Sequence, residues 1–259
     1  MTLRRVVTWG GLALLAYVSI GTLLHRVVFP VSPIDPSLLP RAGDAVYNHL
    51  AGERFVFRRT GAETDGASFE VDLYLDPHGA VPMEHVHAEV EEYFTVVEGV
   101  LTVRLAGVEK QARPGETIVV PPGTPHQPFN QTDRMVHVIG RGKPARKLDL
   151  CLVQLHMLVL DRNQKQPSPL TVLGLVATAP EGCDIYPAGP PVALSRALRV
   201  VVAPAARLFG FNGFEPEYSE RARAERAAQH AAEAAGRGLQ PRERSCSRRG
   251  AEASRAAAA

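Results

Sequence analysis

The sequence predicts a mainly β fold, a barrel or sandwich, with an N-terminal transmembrane helix and C-terminal helices. Three observations carry this. Short apolar runs cut by Gly, Pro, Asn and Asp recur from Arg54 to about Gly140, as regularly spaced strands require. An uncharged run from Val6 to Leu24 is 19 residues long, enough to cross a bilayer as a helix. After about residue 147 the pattern changes to long apolar or amphipathic stretches.

The elements follow in order. Residues 1–29 form the expected membrane anchor, with Trp9 near one end of the span, Arg4 and Arg5 before it and Arg26 after it. A cleaved signal peptide is the rival reading, but no small-residue cleavage site follows the apolar run. The flanking charges lean toward an N-terminus in the cytoplasm and a barrel on the non-cytoplasmic side. Residues 30–52, with prolines at 30, 33, 36 and 40, read as a linker. Residues 53–146 hold the barrel. Phe69 to Asp76 alternates strictly, with Phe69, Val71, Leu73 and Leu75 on one face and Glu70, Asp72 and Tyr74 on the other, which is a half-buried strand.

Residues 147–215 read as a helical extension. Leu148–Asp161 is too long and continuous for a strand and reads as a buried helix. A second short helix is expected over "PLTVLGLVATA". Near 192–209, Arg196, Arg199 and Arg207 share one helix face, with Leu194, Leu198, Val201, Ala205 and Leu208 opposite and Pro204 as a kink. That pattern suits either a membrane-interfacial helix or a helix packed on the barrel with solvated arginines. Residues 216–259 read as an Ala/Arg-rich helix, capped by Ser219 and ending at Gly236, followed by a disordered tail. From 219 onward they carry nine Arg and five Glu.

Composition excludes several classes. The net charge of +2 gives no footprint for nucleic acid. There is no P-loop, no dinucleotide-binding glycine turn and no nucleophile elbow. Cys151, Cys183 and Cys246 are three in number and far apart, so neither a disulfide framework nor a cysteine metal site is expected.

The chemistry concentrates in two stretches. His85 and His87 sit one residue apart, so a strand would aim both at one side. Glu92 lies an odd number of residues beyond His87, so the chain between must turn for it to join them. The first stretch reads Gly79, His85, His87, Glu92, Gly99, or G-x5-H-x-H-x4-E-x6-G. The second reads Gly115, Pro121, Gly123, His126, Asn130, or G-x5-P-x-G-x2-H-x3-N. These patterns resemble the paired motifs of the cupin superfamily, and the short gap between them resembles that of small single-domain microbial cupins of the quercetin-dioxygenase-like kind. The motifs cover only residues 79–130.

The resemblance implies a double-stranded β-helix, or jelly roll, with His85, His87, Glu92 and His126 converging on one divalent transition metal. It selects Glu92 over Glu91 as the ligand, because only Glu92 keeps both spacings. The donor set suits Fe(II) or Mn(II) first, with Ni, Cu, Co and Zn as alternatives. Open positions on such an ion would admit water, dioxygen or a chelating substrate. The implied function is a metal-dependent, dioxygenase-like oxidoreductase acting on a small organic molecule, with Glu92 also the catalytic proton acceptor. The alternatives are a cupin isomerase or decarboxylase, a non-catalytic ligand-sensing module, and a metal-free structural barrel, against which four intact ligands argue. The expected partners are a small-molecule substrate or ligand, membrane lipid, and a second copy in a homodimer through the barrel. Among weaker candidates, Phe94 shares Glu92's side of its strand, His137 is a further acid–base option, and Asn130 reads as a turn brace. His156 has no partner spacing and reads as ordinary surface or packing.

Overall fold

In the computed structural model, residues 2–24, 27 and 33–234 are described. After helix α1 (Leu3–Leu23) come ten strands: β1 (Ala45–Asn48), β2 (Glu53–Arg59), β3 (Phe69–Leu75), β4 (His85–Val86), β5 (Glu91–Glu98), β6 (Leu101–Leu105), β7 (Val108–Ala112), β8 (Thr117–Val120), β9 (His126–Phe129) and β10 (Val136–Lys143). Then follow α2 (Leu148–Asp161), α3 (Pro169–Thr178), a two-residue strand β11 (Tyr186–Pro187), α4 (Val192–Leu208) and α5 (Pro216–Ala234).

The strands form two sheets in which every named pair is antiparallel. One sheet runs β1-β2-β3-β10-β5-β8 and the other β11-β4-β9-β6-β7. Strand β3 alternates as its sequence predicts, with Phe69, Val71, Leu73 and Leu75 buried between the sheets. Phe55, Phe57, Leu101, Val103, Val136 and Val138 complete the inner faces. Each such large side chain removed from water contributes roughly 1.5–3 kcal/mol.

The barrel is all-β, yet the described helices hold more residues than the strands, so the chain as a whole is mixed rather than mainly β. Three further expectations need correction. The stretch taken as a linker, 30–52, contains β1, which pairs with β2 and buries Ala45 and Val46 in the barrel. Only four residues long, β1 shows too little alternation to be read from sequence. Residues 37–42 are also held, by Arg223 and Arg226 of α5 donating to the carbonyls of Ser37, Leu39 and Ala42.

Second, α5 begins at Pro216, so Ser219 lies inside it rather than capping it. Proline at a first helical position loses no helical hydrogen bond and has its φ preset. Tyr218 and Ala222 bury against the main core, so this helix has more to cover than its alanine content suggests. Gly236 and the expected disordered tail lie outside the described residues. Third, Cys151 of α2 and Cys183 form a disulfide across 32 residues, where no disulfide was expected. The fold of the extension brings the pair together, and sequence spacing carries no trace of it.

The buried helix over Leu148–Asp161 and the short helix after it are both present. Ser168 caps α3 by accepting the Thr171 backbone N–H, with Pro169 in the first turn. In α4 the arginines divide: Arg199 and Arg207 are half-buried, while Arg196 stays exposed and pairs across the surface. Arg196 reaches the Tyr186 hydroxyl and Glu89, and Arg199 donates to the Ala179 carbonyl. Leu194, Leu198, Leu208 and Phe209 are left exposed. Helix α1 lies against α4, where the Tyr17 hydroxyl accepts the Ala205 N–H at 3.1 Å.

Candidate metal centre

His85 enters on β4 and His87 directly follows it, on the same side of the chain. The chain then turns through residues 88–90, and this turn resets the alternation. Along β5 the buried positions are Glu92, Phe94 and Val96, while Glu91, Tyr93 and Thr95 face outward. Glu91 accepts from Tyr93 and lies near Lys143, away from the histidines. A second turn delivers His126 at the head of β9. Gly123, at φ 77°, donates its N–H to the His87 carbonyl at 2.7 Å, tying the two motifs together.

Glycine and asparagine at the fixed positions have backbone reasons. A Cβ on Gly79 would collide with the Gly52 carbonyl oxygen. Asn130 donates to the carbonyls of Leu75, Asp76 and Arg134, and its Oδ1 accepts from the Thr132 N–H and hydroxyl. It braces a turn and is no ligand.

The ligand-capable atoms of His85, His87, Glu92 and His126 lie within 4.8 Å of one another, and all four residues are buried. Each imidazole has its Nδ1 on a backbone carbonyl: His85 on Met83 at 3.0 Å, His126 on Thr124 at 3.0 Å, and His87 on Asp184. A carbonyl can only accept, so each Nδ1 carries a proton and each Nε2 is the nitrogen left to coordinate. Such outer bonds fix ring orientation at metal sites. Glu92 Oε2 lies 2.7 Å from His126 Nε2 and 3.3 Å from His87 Nε2. The longer approach lacks hydrogen-bond geometry, leaving His87 Nε2 as a buried nitrogen without a partner. Three convergent imidazoles, a carboxylate and an orphaned nitrogen fit a divalent transition metal.

The electrostatics suit the same cation. Burial, reinforced by His126 and His87, pushes the His85 pKa well below that of a free histidine. Burial also acts to raise the Glu92 pKa, but the charge on His87 and the hydrogen bond from His126 outweigh it and hold the carboxyl well below its usual range. For His87, burial lowers the pKa, and the Glu92 charge overrides it to give a net rise.

The extension supplies parts of the site that the motifs do not contain. The Asp184 carboxylate accepts the backbone N–H groups of Ala88, Glu89 and Val90 at 2.9, 2.7 and 3.0 Å. It therefore holds the turn that points Glu92 inward. Next to it, β11 pairs with β4, so the strand carrying His85 is flanked by β9 on one side and β11 on the other. Nothing in the spacing of Asp184, nearly a hundred residues downstream of His87, signals this.

The cluster opens on a cavity between the inner face of the barrel and α2. Phe94 lines it, as its strand position predicts. His137 does not. It faces outward, stacks on Tyr74 and pairs with Asp72 at 2.8 Å. His156, read as ordinary surface or packing, is buried, pairs with Glu53 at 2.7 Å and lines the cavity.

Residues 72–140 match the family model described as the cupin domain. Among solved structures, the KdgF protein from Halomonas sp. is 22% identical, with 36% of this chain and 79% of that chain covered and a TM-score of 0.32. A sugar phosphate isomerase from a cupin superfamily, from Silicibacter pomeroyi, is 23% identical, with 43% and 75% covered and a TM-score of 0.33. A predicted oxalate decarboxylase from Thermotoga maritima is 15% identical, with 36% and 80% covered and a TM-score of 0.34. No curated protein matches the chain. Over residues 72–140 the barrel at the centre of this chain therefore resembles a cupin domain, and the helices on either side lie outside that match.

Proposed function

We propose that this chain is a membrane-tethered, metal-dependent oxidoreductase of the dioxygenase-like kind, acting on a small organic molecule inside the barrel. The carrying observation is the buried set of three imidazoles and one carboxylate opening on a mostly apolar cavity. His85, His87 and His126 would hold the metal through Nε2, and Glu92 through its carboxylate. When bound, Fe(II) or Mn(II) supplies Lewis acidity and redox capacity at positions the protein leaves open.

The remaining work falls to the chain's own residues. Glu92 is both ligand and proton acceptor, with Oε2 2.7 Å from His126 Nε2 and its side chain lining the cavity. Phe94, Phe69 and Phe55 form apolar walls that orient a substrate and exclude water. The cavity is closed by α2, which contributes Leu152, Leu155 and His156.

Two observations support the tether and its orientation. Helix α1 spans 21 residues at a mean hydropathy of 1.7 in its most apolar window, with none of that window buried. It meets α4, which together with α3 exposes Leu170, Leu173, Leu194, Leu198, Leu208 and Phe209, a surface suited to lipid. The Cys151–Cys183 disulfide belongs to an oxidising compartment, in keeping with a barrel on the non-cytoplasmic side.

The test is to reconstitute the purified full chain with Fe(II) or Mn(II) and follow oxygen uptake with phenolic and dicarbonyl compounds. Turnover that consumes oxygen and disappears in Glu92→Gln supports the reading. Turnover of the same compounds without oxygen uptake identifies an isomerase or decarboxylase instead, and binding without turnover identifies a sensor.

A further inference from the structure

The cavity has a second polar end. Glu53 stands at the start of β2 and His156 on α2, 3% and 1% exposed respectively, and their side chains meet at 2.7 Å. Both line the cavity that His85, His87 and Glu92 line. Strand register sets the two ends apart. Glu53 pairs with Leu75 of β3, whereas Glu92 pairs with Gly142, which in turn pairs with Phe69 of β3. Six residues of β3 separate those levels, about 20 Å along the strand. Glu53 and Glu92 therefore stand level with opposite ends of β3.

The chemistry of the second end is specific. His156 Nδ1 donates to the Leu152 carbonyl at 2.7 Å, so that nitrogen carries a proton. Its Nε2 faces the Glu53 carboxylate, and a ring donating from both nitrogens is an imidazolium. Burial works against that charge, and Glu53 outweighs it, giving a net upward shift. Glu53 Oε2 is taken by His156, while Oε1 has no hydrogen-bond partner among the described residues. A carboxylate oxygen facing a cavity accepts a hydroxyl or N–H and repels another carboxylate. Apart from Arg141 the rest of the lining is apolar, with Phe55, Phe69, Leu73 and Phe94 from the barrel and Leu152 and Leu155 from α2. An ion pair is a poor choice if its only task is to seat α2, because apolar residues of similar volume close such a contact at least as well.

We propose that Glu53 and His156 form a hydroxyl-binding subsite of the metal-centre cavity. The substrate class is then a small aromatic or largely apolar molecule with one polar end at the His85–His87–Glu92–His126 cluster and a hydroxyl at Glu53. This rests on the reading of the cavity as the substrate site of the metal centre.

The probes are 4-hydroxycinnamate and cinnamate, which differ by one hydroxyl at the end remote from the carboxylate. Their binding to the full chain in detergent is measured by calorimetry, alongside its metal content. Wild type is expected to bind 4-hydroxycinnamate roughly tenfold more tightly or better, the effect of a hydrogen bond to a charged group. The double variant Glu53→Leu/His156→Phe, which leaves no charge unpaired, should bind both within twofold and retain wild-type metal content. Should that variant not fold, Glu53→Gln, which keeps the shape of the side chain, should still narrow the preference. Equal affinities in wild type, binding of neither probe, or a preference that survives the variants overturns the subsite. Failure of the wild-type chain to take up metal is read separately and counts against the metal-dependent function itself.

Discussion

Replacing Asp184 with alanine removes an acceptor shared by three consecutive backbone N–H groups, at 2.7–3.0 Å from Ala88, Glu89 and Val90. Hydrogen bonds to a charged group contribute roughly 1.5–3 kcal/mol each, less where water substitutes. The Val90 N–H is buried and would be orphaned, while those of Ala88 and Glu89 lie closer to solvent. The summed loss is therefore about 2–4 kcal/mol of folding stability. The same turn aims Glu92, and the Asp184 carbonyl holds the His87 ring. Loss of such outer-sphere support lowers metal affinity roughly 10–100-fold. Asp184→Asn keeps one acceptor oxygen and should fall between. Urea unfolding measures the first quantity, and competition against a chelator of known affinity measures the second. Wild-type metal affinity in Asp184→Ala, within twofold, would refute the claim that the extension shapes the metal site.

Further outcomes follow from other parts of the molecule. Cys151→Ser, which opens a loop of 32 residues, should lower stability by roughly 3–4 kcal/mol and weaken metal binding, because Cys183 adjoins Asp184; unfolding in the presence and absence of a thiol reductant checks it. The His156–Glu53 pair predicts a pH dependence of defined sign. Its contribution is full below the unfolded histidine value of about 6.5 and is lost as pH rises through the higher folded value. The stability gap between wild type and the double variant Glu53→Leu/His156→Phe should accordingly shrink from pH 6 to pH 9, as read by urea unfolding. Deleting residues 1–29 should release the chain from membranes on carbonate extraction. If the truncated chain stays bound, replacing Leu198, Leu208 and Phe209 together with serine should release it.

The central site was legible because its determinants are local. His85, His87 and Glu92 lie within eight consecutive residues, and His126 comes with its own proline–glycine turn. The alternation of β3 reveals its inward face because one side of it meets the core and the other meets water. What escaped are contacts between distant segments. Asp184, the Cys151–Cys183 bridge and the Glu53–His156 pair each join the barrel or α2 to residues 32 to 103 positions away, with no spacing rule to betray them. The faces of α4 were visible in the sequence, but not which face the body would take. The helix buries Ser195, Pro204 and Ala206, with Ala206 packed against Ala177 and Phe211, a face neither apolar nor basic in the sequence. Strand β1 was hidden in a proline-rich stretch because four residues are too few to display a period.

The most direct measurement of the account is the metal content of the purified full chain after reconstitution, compared across wild type, His85→Ala, His126→Ala, Glu91→Gln and Glu92→Gln. The account predicts about one transition-metal ion per chain in wild type and Glu91→Gln, near-complete loss in the two histidine variants and strongly weakened binding in Glu92→Gln. A wild-type chain without metal, or Glu91→Gln and Glu92→Gln affected alike, would contradict it.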